Sequence, residues 1–263
     1  LVPHEDFDDV RNLLLEAVAE TSEEAMEKFF NGEDFTEDEI KAGLRKGVIN
    51  GDVVPVLVGS AANLIGVHTL FDMMFNYMPT PEDSRNGVRY GTNPDTGETV
   101  ERRVSVDEPF SAFVFKTIVD PFIGKISLFK VVSGSLTKDM EVLNASQGRK
   151  ERIANLYFVR GIKQRETERV VAGDIAATTK IQDLKTGDTI CDKNNPIVYQ
   201  KVPFPKPCLY MNIIPVKKSD DDKISTAIQK LIEEDPSLNV IRNTETKELL
   251  IGGQGKTHLE IVV

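Results

Sequence analysis

The stretch from Phe110 to Val142, FSAFVFKTIVDPFIGKISLFKVVSGSLTKDMEV, limits the possible folds more than any other part of the chain. Phe110, Ala112 and Val114 recur at the period of a strand. Asp120-Pro121 interrupts that strand, and Gly124 sits in the returning turn. Ile126 to Val132 supplies a second run, rich in β-branched and aromatic residues. Ser133-Gly134-Ser135 turns the chain again, into a third strand at Met140 to Leu143. Period-two runs joined by turn residues at every corner predict a β-meander, and therefore an antiparallel barrel or sandwich.

The chain before this stretch reads differently. Val10, Leu13, Leu14 and Val18 form a helical stripe. Thr21 with Glu24, and Thr36 with Glu39, have the spacing of capping boxes. The first opens a helix through Met26, Phe29 and Phe30 that stops at Asn31-Gly32. The second opens one through Ile40, Leu44 and Val48 that closes at Asn50-Gly51. Val53 to Val58 is a continuous apolar run, which predicts a buried parallel strand. Gly59-Ser60-Ala61-Ala62-Asn63 follows as a loop. A helix over Leu64 to Tyr77 is expected next, with Val67, Leu70, Phe71 and Met74 inward and Pro79 and Pro81 at its end. A strand, a loop of small residues and a helix make the last unit of an open α/β sheet, and such sheets bind ligands at the carboxyl ends of their strands.

Beyond the meander, residues 83–106 carry linker and hairpin chemistry at Asn86-Gly87, Asn93-Pro94-Asp95 and Thr96-Gly97. Ile153, Leu156 and Phe158 continue the strands. Gly173-Asp174 and Gly187-Asp188 each precede a short strand. Both aspartates are read as structural, their carboxylates bonding turn amides. Pro203, Pro205 and Pro207 form a stiff hinge. The remainder reads strand (Cys208 to Pro215), helix, hairpin, helix. Ser219-Asp220-Asp221-Asp222 is the expected helix start, and Ile224, Ile228, Leu231 and Ile232 form its apolar face. The order β-α-β-β-α is that of a ferredoxin-like domain without its final strand, so one sheet edge is expected to be unfilled or covered by a neighbour.

Charge narrows the function. The 263 residues have a formal net charge of −10 and a pI of about 5.0. Binding to free DNA is not expected of such a chain, because phosphate neutralisation needs clustered cations. The candidate clusters are Arg149, Lys150 and Arg152, and Arg160, Lys163, Arg165 and Arg169. No apolar run suits a membrane span, and no signal peptide is visible at Leu1. Cys191 and Cys208 lack both ligand spacing and a disulfide framework and read as buried thiols of a cytoplasmic protein.

Taken in order, these motifs resemble one family. Asp120-Pro121-x-x-Gly124-Lys125, followed by Val132-Ser133-Gly134-Ser135-Leu136, is similar to the second-domain barrel of translational GTPases, nearest to elongation factor G. Ala172-Gly173-Asp174-Ile175-Ala176 and Thr186-Gly187-Asp188-Thr189-Ile190 match the same barrel. Leu231-x-Glu233-Glu234-Asp235-Pro236 and His258-Leu259-Glu260 resemble the third domain. Pro55-Val56-Leu57-Val58-Gly59-Ser60-Ala61 looks like the last guanine-contacting motif of a GTPase domain. The resemblance thereby assigns base contact to Ser60 and Ala61, through a backbone N–H.

The resemblance implies a multidomain α+β fragment. Residues 1–82 are expected to be the C-terminal part of a GTP-binding domain, residues 83–202 the translation-factor β-barrel, and residues 203–263 a truncated ferredoxin-like third domain. The parent would be a GTPase that uses GTP and Mg²⁺ and promotes ribosomal translocation of tRNA and mRNA. Its partners would be rRNA and ribosomal proteins, with no membrane. No phosphate loop, Mg²⁺-binding Thr and Asp, or Asn-Lys-x-Asp precedes Val53. The fragment is therefore expected to be monomeric, to carry no cofactor and to be inactive alone. Ribosome contact by the barrel and relay between domains are its expected contributions.

Two segments depart from the family: Asn155 to Val159, and Lys256-Thr257 where the family has an acidic and an apolar residue. They favour a divergent paralogue. The alternative is a ribosome-binding protection or regulatory protein without translocase activity. Leu249 to Thr257 imitates a phosphate loop, but that pattern requires Gly at position 250, where Leu stands. His258 has no partners at ligand spacing and reads as a helix-terminal residue making local hydrogen bonds.

Overall fold

A computed structural model describes residues 4–161, 163–181, 183–215, 221–246 and 248–262. The expected helix start at Ser219-Asp220 lies outside them. The described chain divides into two compact units, Leu1–Gly87 and Val88–Val263.

The first unit is helical: α1 (His4–Ala19), α2 (Glu23–Phe30), α3 (Glu37–Asn50) and α4 (Val67–Tyr77), followed by a 3₁₀ turn at Ser84–Gly87. Thr36 and Glu39 form the expected capping box. Ahead of α2, the cap is Ser22, whose hydroxyl accepts from the Ala25 amide. Thr21 instead donates its hydroxyl back to the Val18 carbonyl at the end of α1. The spacing from Thr21 to Glu24 could not tell adjacent hydroxyls apart. Arg45 of α3 donates to the carbonyls of Asn76 and Met78 at the end of α4 and pairs with Asp83. It thus satisfies orphan carbonyls with a cation at the negative end of a helix.

The expected parallel strand at Val53 to Val58 does not form. A parallel ladder needs a neighbouring strand, and this unit contains none among the described residues. Val54, Val56 and Val58 are left 79%, 87% and 93% exposed. The helix after it begins at Val67 rather than Leu64, because the chain first reverses through a bridge between Ser60 and Ile65. The inward orientation expected of Leu70, Phe71 and Met74 is also corrected: all three are exposed. Among the described residues, Val18 and Ala19 are the buried apolar side chains of this unit, and Val10, Leu13 and Leu14 of the α1 stripe are exposed.

The second unit is mostly strand. A hairpin of β1 (Val88–Thr92) and β2 (Thr99–Arg103) leads into β3 (Ser111–Asp120), β4 (Gly124–Ser133), β5 (Ser135–Thr137) and β6 (Glu141–Asn144). Then come β7 (Arg149–Arg152), β8 (Tyr157–Arg160), β9 (Lys163–Glu166), β10 (Arg169–Val171), β11 (Ile175–Thr179) and β12 (Thr189–Cys191). Eight of these form one sheet in the order β7-β6-β12-β3-β4-β11-β8-β9. A separate two-stranded ladder pairs β5 with β10 and bridges the two sides of the sheet, because β5 precedes β6 near one end and β10 follows β9 at the other. The strands thus enclose one core from Phe110, Val114, Phe129, Leu136, Ile153, Leu156 and Ile190, each at most 3% exposed. β8 alternates half-buried and exposed residues, whereas the central strands β11 and β12 are buried almost throughout.

Two carboxylates brace its corners. Asp174 accepts from the Val171 amide, and Asp188 accepts from the Lys185 amide, each three residues back. The Asp188 carboxylate is buried and also takes the side-chain amides of Asn144 and Gln147. A second internal chain runs through hydroxyls. Ser133 donates to the Pro109 carbonyl, so its oxygen must accept from Ser111, which in turn accepts from Tyr199. Desolvation lifts the Tyr199 phenol to about 12, which keeps it a donor at every working pH.

The third group of elements is β13 (Leu209–Asn212), α5 (Asp221–Glu234), β14 (Asn239–Arg242), β15 (Leu249–Gly253) and α6 (Lys256–Val262). The sheet order is β13-β15-β14, all antiparallel, with its own core around Leu238, Ile251 and Leu259. This is the expected β-α-β-β-α succession. The outer edge of β13 has no strand beside it among the described residues.

Asp188→Ala should lower the unfolding free energy of the barrel by about 2–3 kcal/mol, since three N–H donors lose a buried acceptor. Asp174→Ala, which frees one half-buried amide, should cost about 1 kcal/mol. Urea unfolding followed by far-UV circular dichroism compares the two.

Candidate functional site

The Ser60–Ala61 turn is built from backbone. The Ser60 and Ile65 amides bond each other's carbonyls reciprocally at 3.0 Å, and the Leu64 amide reaches the Ala61 carbonyl. Gly66 holds a left-handed φ of 78°, and a Cβ there would meet the Val58 carbonyl oxygen at 3.0 Å. Asn63 donates its side-chain amide to the Ser60 hydroxyl. Ser60 is therefore occupied at both its amide and its hydroxyl. The Ala61 amide has no acceptor among the described residues, and Ala61 and Ala62 are exposed. The turn can offer a backbone hydrogen bond to a carbonyl-bearing ligand, with small side chains leaving room for close approach. It contains no acid, base or nucleophile.

A cleft of about 460 Å³ lies between α1, α2 and α3, lined by Val18, Lys28, Phe35, Glu39, Gly43 and Lys46 among others. Its strongest polar groups are already joined. Lys28 donates to both Glu39 oxygens at 2.8 Å and lies 5.7 Å from the Phe35 ring centroid. That hydrogen bond, with those from the Thr36 amide and hydroxyl, holds the Glu39 carboxyl down at about 2. The pair is a structural clasp for the capping box.

In the barrel, the two basic clusters part company. Arg149 pairs with Asp183 and Arg152 with Asp139. Arg160, Lys163, Arg165 and Arg169 are exposed and make no ion pair among the described residues. Three of them lie on the β8–β9 hairpin, where Phe158 is opposite Arg165 and Arg160 is opposite Lys163. All four of these side chains are exposed, whereas the alternate residues Tyr157, Val159 and Gln164 are half-buried. One hairpin face therefore carries three cations and an aromatic ring. Like charges directly opposite across a ladder are destabilising, so the Arg160–Lys163 pair is poorly suited to a purely structural role. An anionic surface would relieve it.

The Gly252–Thr257 loop is used up within its own domain. Gly252 and Gly253 pair in β15, and a Cβ on Gly252 would strike the Tyr210 ring at 2.5 Å. The Gln254 amide donates to His258 Nδ1, and Lys256 pairs with Glu260. Since Nδ1 accepts, the neutral His258 ring carries its proton on Nε2 and donates it to Asp235 at 3.0 Å. His258 thus makes the expected local bonds, tying α6 to the end of α5. No group of three or more potential metal ligands occurs among the described residues. Burial raises the Asp235 carboxyl, but hydrogen bonds from the Ser237 hydroxyl and amide and from His258 outweigh it and leave the group below its ordinary value.

Comparison with known proteins follows the same divisions. Residues 109–193 match the family model described as elongation factor G domain 2, and residues 204–263 match the model for elongation factor G, domain III. Together the two matches take in more than half of the chain, in the order in which the barrel and the β-α-β-β-α group occur. The chain belongs to the elongation factor G family. A crystal structure of ttk003000868 from Thermus thermophilus superposes with a TM-score of 0.79 at 29% identity. The match covers 99% of this chain and 37% of that one, so the chain spans well under half the length of the structure it resembles.

The Gly-Asp corners and the Asp235–His258 tie both lie inside the matched elongation factor G domains. Sequence reasoning missed three contacts. Gln254 Nε2 donates to the carbonyls of Pro205 and Lys206 in the Pro-rich segment. Glu234 accepts from the Val119 amide, and Glu233 pairs with Lys125. All three join residues far apart in the chain, and their side chains carry no local pattern. The acidic end of α5 was the available signal, because carboxylates at a helix C-terminus need external partners.

The lowered Asp235 pKa sets a pH dependence. The tie contributes stability fully above the ordinary carboxylate range near 4, and that stability is lost as pH falls through the depressed folded value. Asp235→Asn should therefore weaken the third domain at neutral pH and flatten its acid-unfolding limb below about pH 4. Amide NMR of the α6 residues against pH reads this directly.

Proposed function

We propose that the chain is part of a translational GTPase of the elongation factor G type, which promotes movement of tRNA and mRNA through the ribosome in the cytoplasm. The observation that carries this reading is the ordered pair of elongation factor G domains, 2 then III. Residues 1–82 are taken as the C-terminal part of the GTP-binding domain, 83–202 as the barrel and 203–263 as the third domain. In that frame the exposed run at Val54, Val56 and Val58 is a sheet strand awaiting its neighbours, and the open face of α4 covers the same sheet.

GTP and Mg²⁺ belong to the whole GTPase. The residues present fit one part of that group: the Ala61 amide is free to meet a base carbonyl, and Ser60 shapes the turn. Mg²⁺ and phosphates would be held elsewhere, and the bound nucleotide would supply the hydrolysable phosphate. This piece supplies no catalytic residue. Its contribution is ribosome contact through the Phe158, Arg160, Lys163 and Arg165 face, whose charge suits an RNA backbone. The alternative is a ribosome-binding protection or regulatory paralogue without translocase activity. Lys256 favours it, since this residue stands where the family has an acidic one and pairs with Glu260 on its own helix.

A single-round translocation assay with the full-length parent separates the two readings: stimulated movement supports the first, and ribosome binding without movement supports the second. The isolated chain should give no micromolar binding of a fluorescent GTP analogue, and its own affinity for it would contradict the assignment of residues 1–82. In the full-length parent, Arg165→Ala should reduce the slope of log ribosome affinity against log salt by about one, if Arg165 neutralises one phosphate.

A further inference from the structure

We infer that the acidic end of α5 is an electrostatic latch, holding the third domain against the barrel and releasing it without unfolding either. The inference stands on the geometry alone and does not require the translocation reading. The helix ends in Glu233 and Glu234, with Asp235 directly after, and has no basic residue in its last turn. Three neighbouring carboxylates at the negative end of a helix repel one another and oppose its dipole. Asp235 is relieved within its own domain by Ser237 and His258. The other two are relieved by the barrel.

Glu234 Oε1 accepts from the Val119 amide at 2.6 Å, and Glu233 Oε2 lies 3.3 Å from Lys125 Nζ. Val119 and Lys125 are directly opposite across the β3–β4 ladder. Two adjacent carboxylates therefore grip both strands of one rung. The Lys125 side chain is only 10% exposed, so this ion pair is less open to solvent than a surface pair.

Among the described residues, no cluster of buried apolar side chains reinforces this grip. The two barrel clusters and the third-domain cluster are separate, and none of them spans the joint. A polar joint between domains is the kind that opens reversibly. The connecting segment is arranged to let it. Tyr199 is pinned to the barrel by Ser111 and by its amide bond to Thr189, whereas Pro205 and Lys206 are held by Gln254 of the third domain. Residues 200–204 between them make no hydrogen bond among the described residues. The pivot is therefore in those five residues, with the latch across from it.

Cys191 is buried as expected, but Cys208 is exposed, contrary to expectation, so the test uses the whole 263-residue chain with Cys208→Ser and spin labels at Lys150→Cys in the barrel and Thr244→Cys in the third domain. Pulsed electron spin resonance gives the distance distribution. At low salt it should be narrow. Glu233→Gln with Glu234→Gln should broaden it and shift its mean, while amide NMR of both domains stays folded. In the chain with native glutamates, 1 M NaCl, where the screening length is about 3 Å, should move the distribution in the same direction. A distribution that stays narrow and unmoved in the doubly substituted chain and at high salt would overturn the latch. Should the substituted chain not fold, the salt series decides by itself.

Discussion

Backbone hydrogen bonds at strand edges govern how each part of this molecule behaves. The eight-stranded antiparallel sheet is bridged across its two sides by the separate β5–β10 ladder. The enclosed strands let polar corners such as Asp188 be buried with their partners. Where no partner strand exists, the outcome is different. Val53 to Val58 has the composition of a central strand, yet without a ladder it stays irregular and exposed. The outer edge of β13 is a third case: the strand forms, because β15 supports its other side.

The acidic composition has a physical use within the fold. Asp120 takes the amides of Phe122 and Ile123, and Asp83 takes the amide and hydroxyl of Thr80. With Glu39, Asp174, Asp188 and Asp235, these carboxylates cap turns and helix ends, where a charged acceptor is stronger than a neutral one. Part of the acidic complement is thus structural. Against it, the cations of the β8–β9 hairpin stand out, because they make no ion pair among the described residues.

The two halves of the function reading rest on different physics. The barrel and the third domain are recognisable because their corners need particular residues: Gly before Asp, Asp before Pro, His four residues after an amide it must accept. The nucleotide contact assigned to Ser60 and Ala61 relies on a short loop of small residues. The turn geometry is compatible with that contact through one free amide. A latch at the end of α5 would give such an assembly a joint that responds to charge, while each domain keeps its own core.

Local order was legible in the sequence wherever one residue sets a backbone conformation. The meander from Phe110, the Thr36 capping box, both Gly-Asp corners, the β-α-β-β-α succession and the local role of His258 all follow from side chains acting within a few residues of themselves. What stayed hidden involved distant partners. Hydrophobicity alone made Val53 to Val58 a strand and turned Leu70, Phe71 and Met74 inward, because an apolar run does not say whether its neighbours are present. Only the tertiary structure decided that Glu234 would reach Val119, that Gln254 would hold the Pro-rich segment, and that Arg160 and Lys163 would face each other without a carboxylate between them. Turn chemistry is written in adjacent residues, whereas burial, pairing and charge compensation are settled by which surfaces the folded chain brings together.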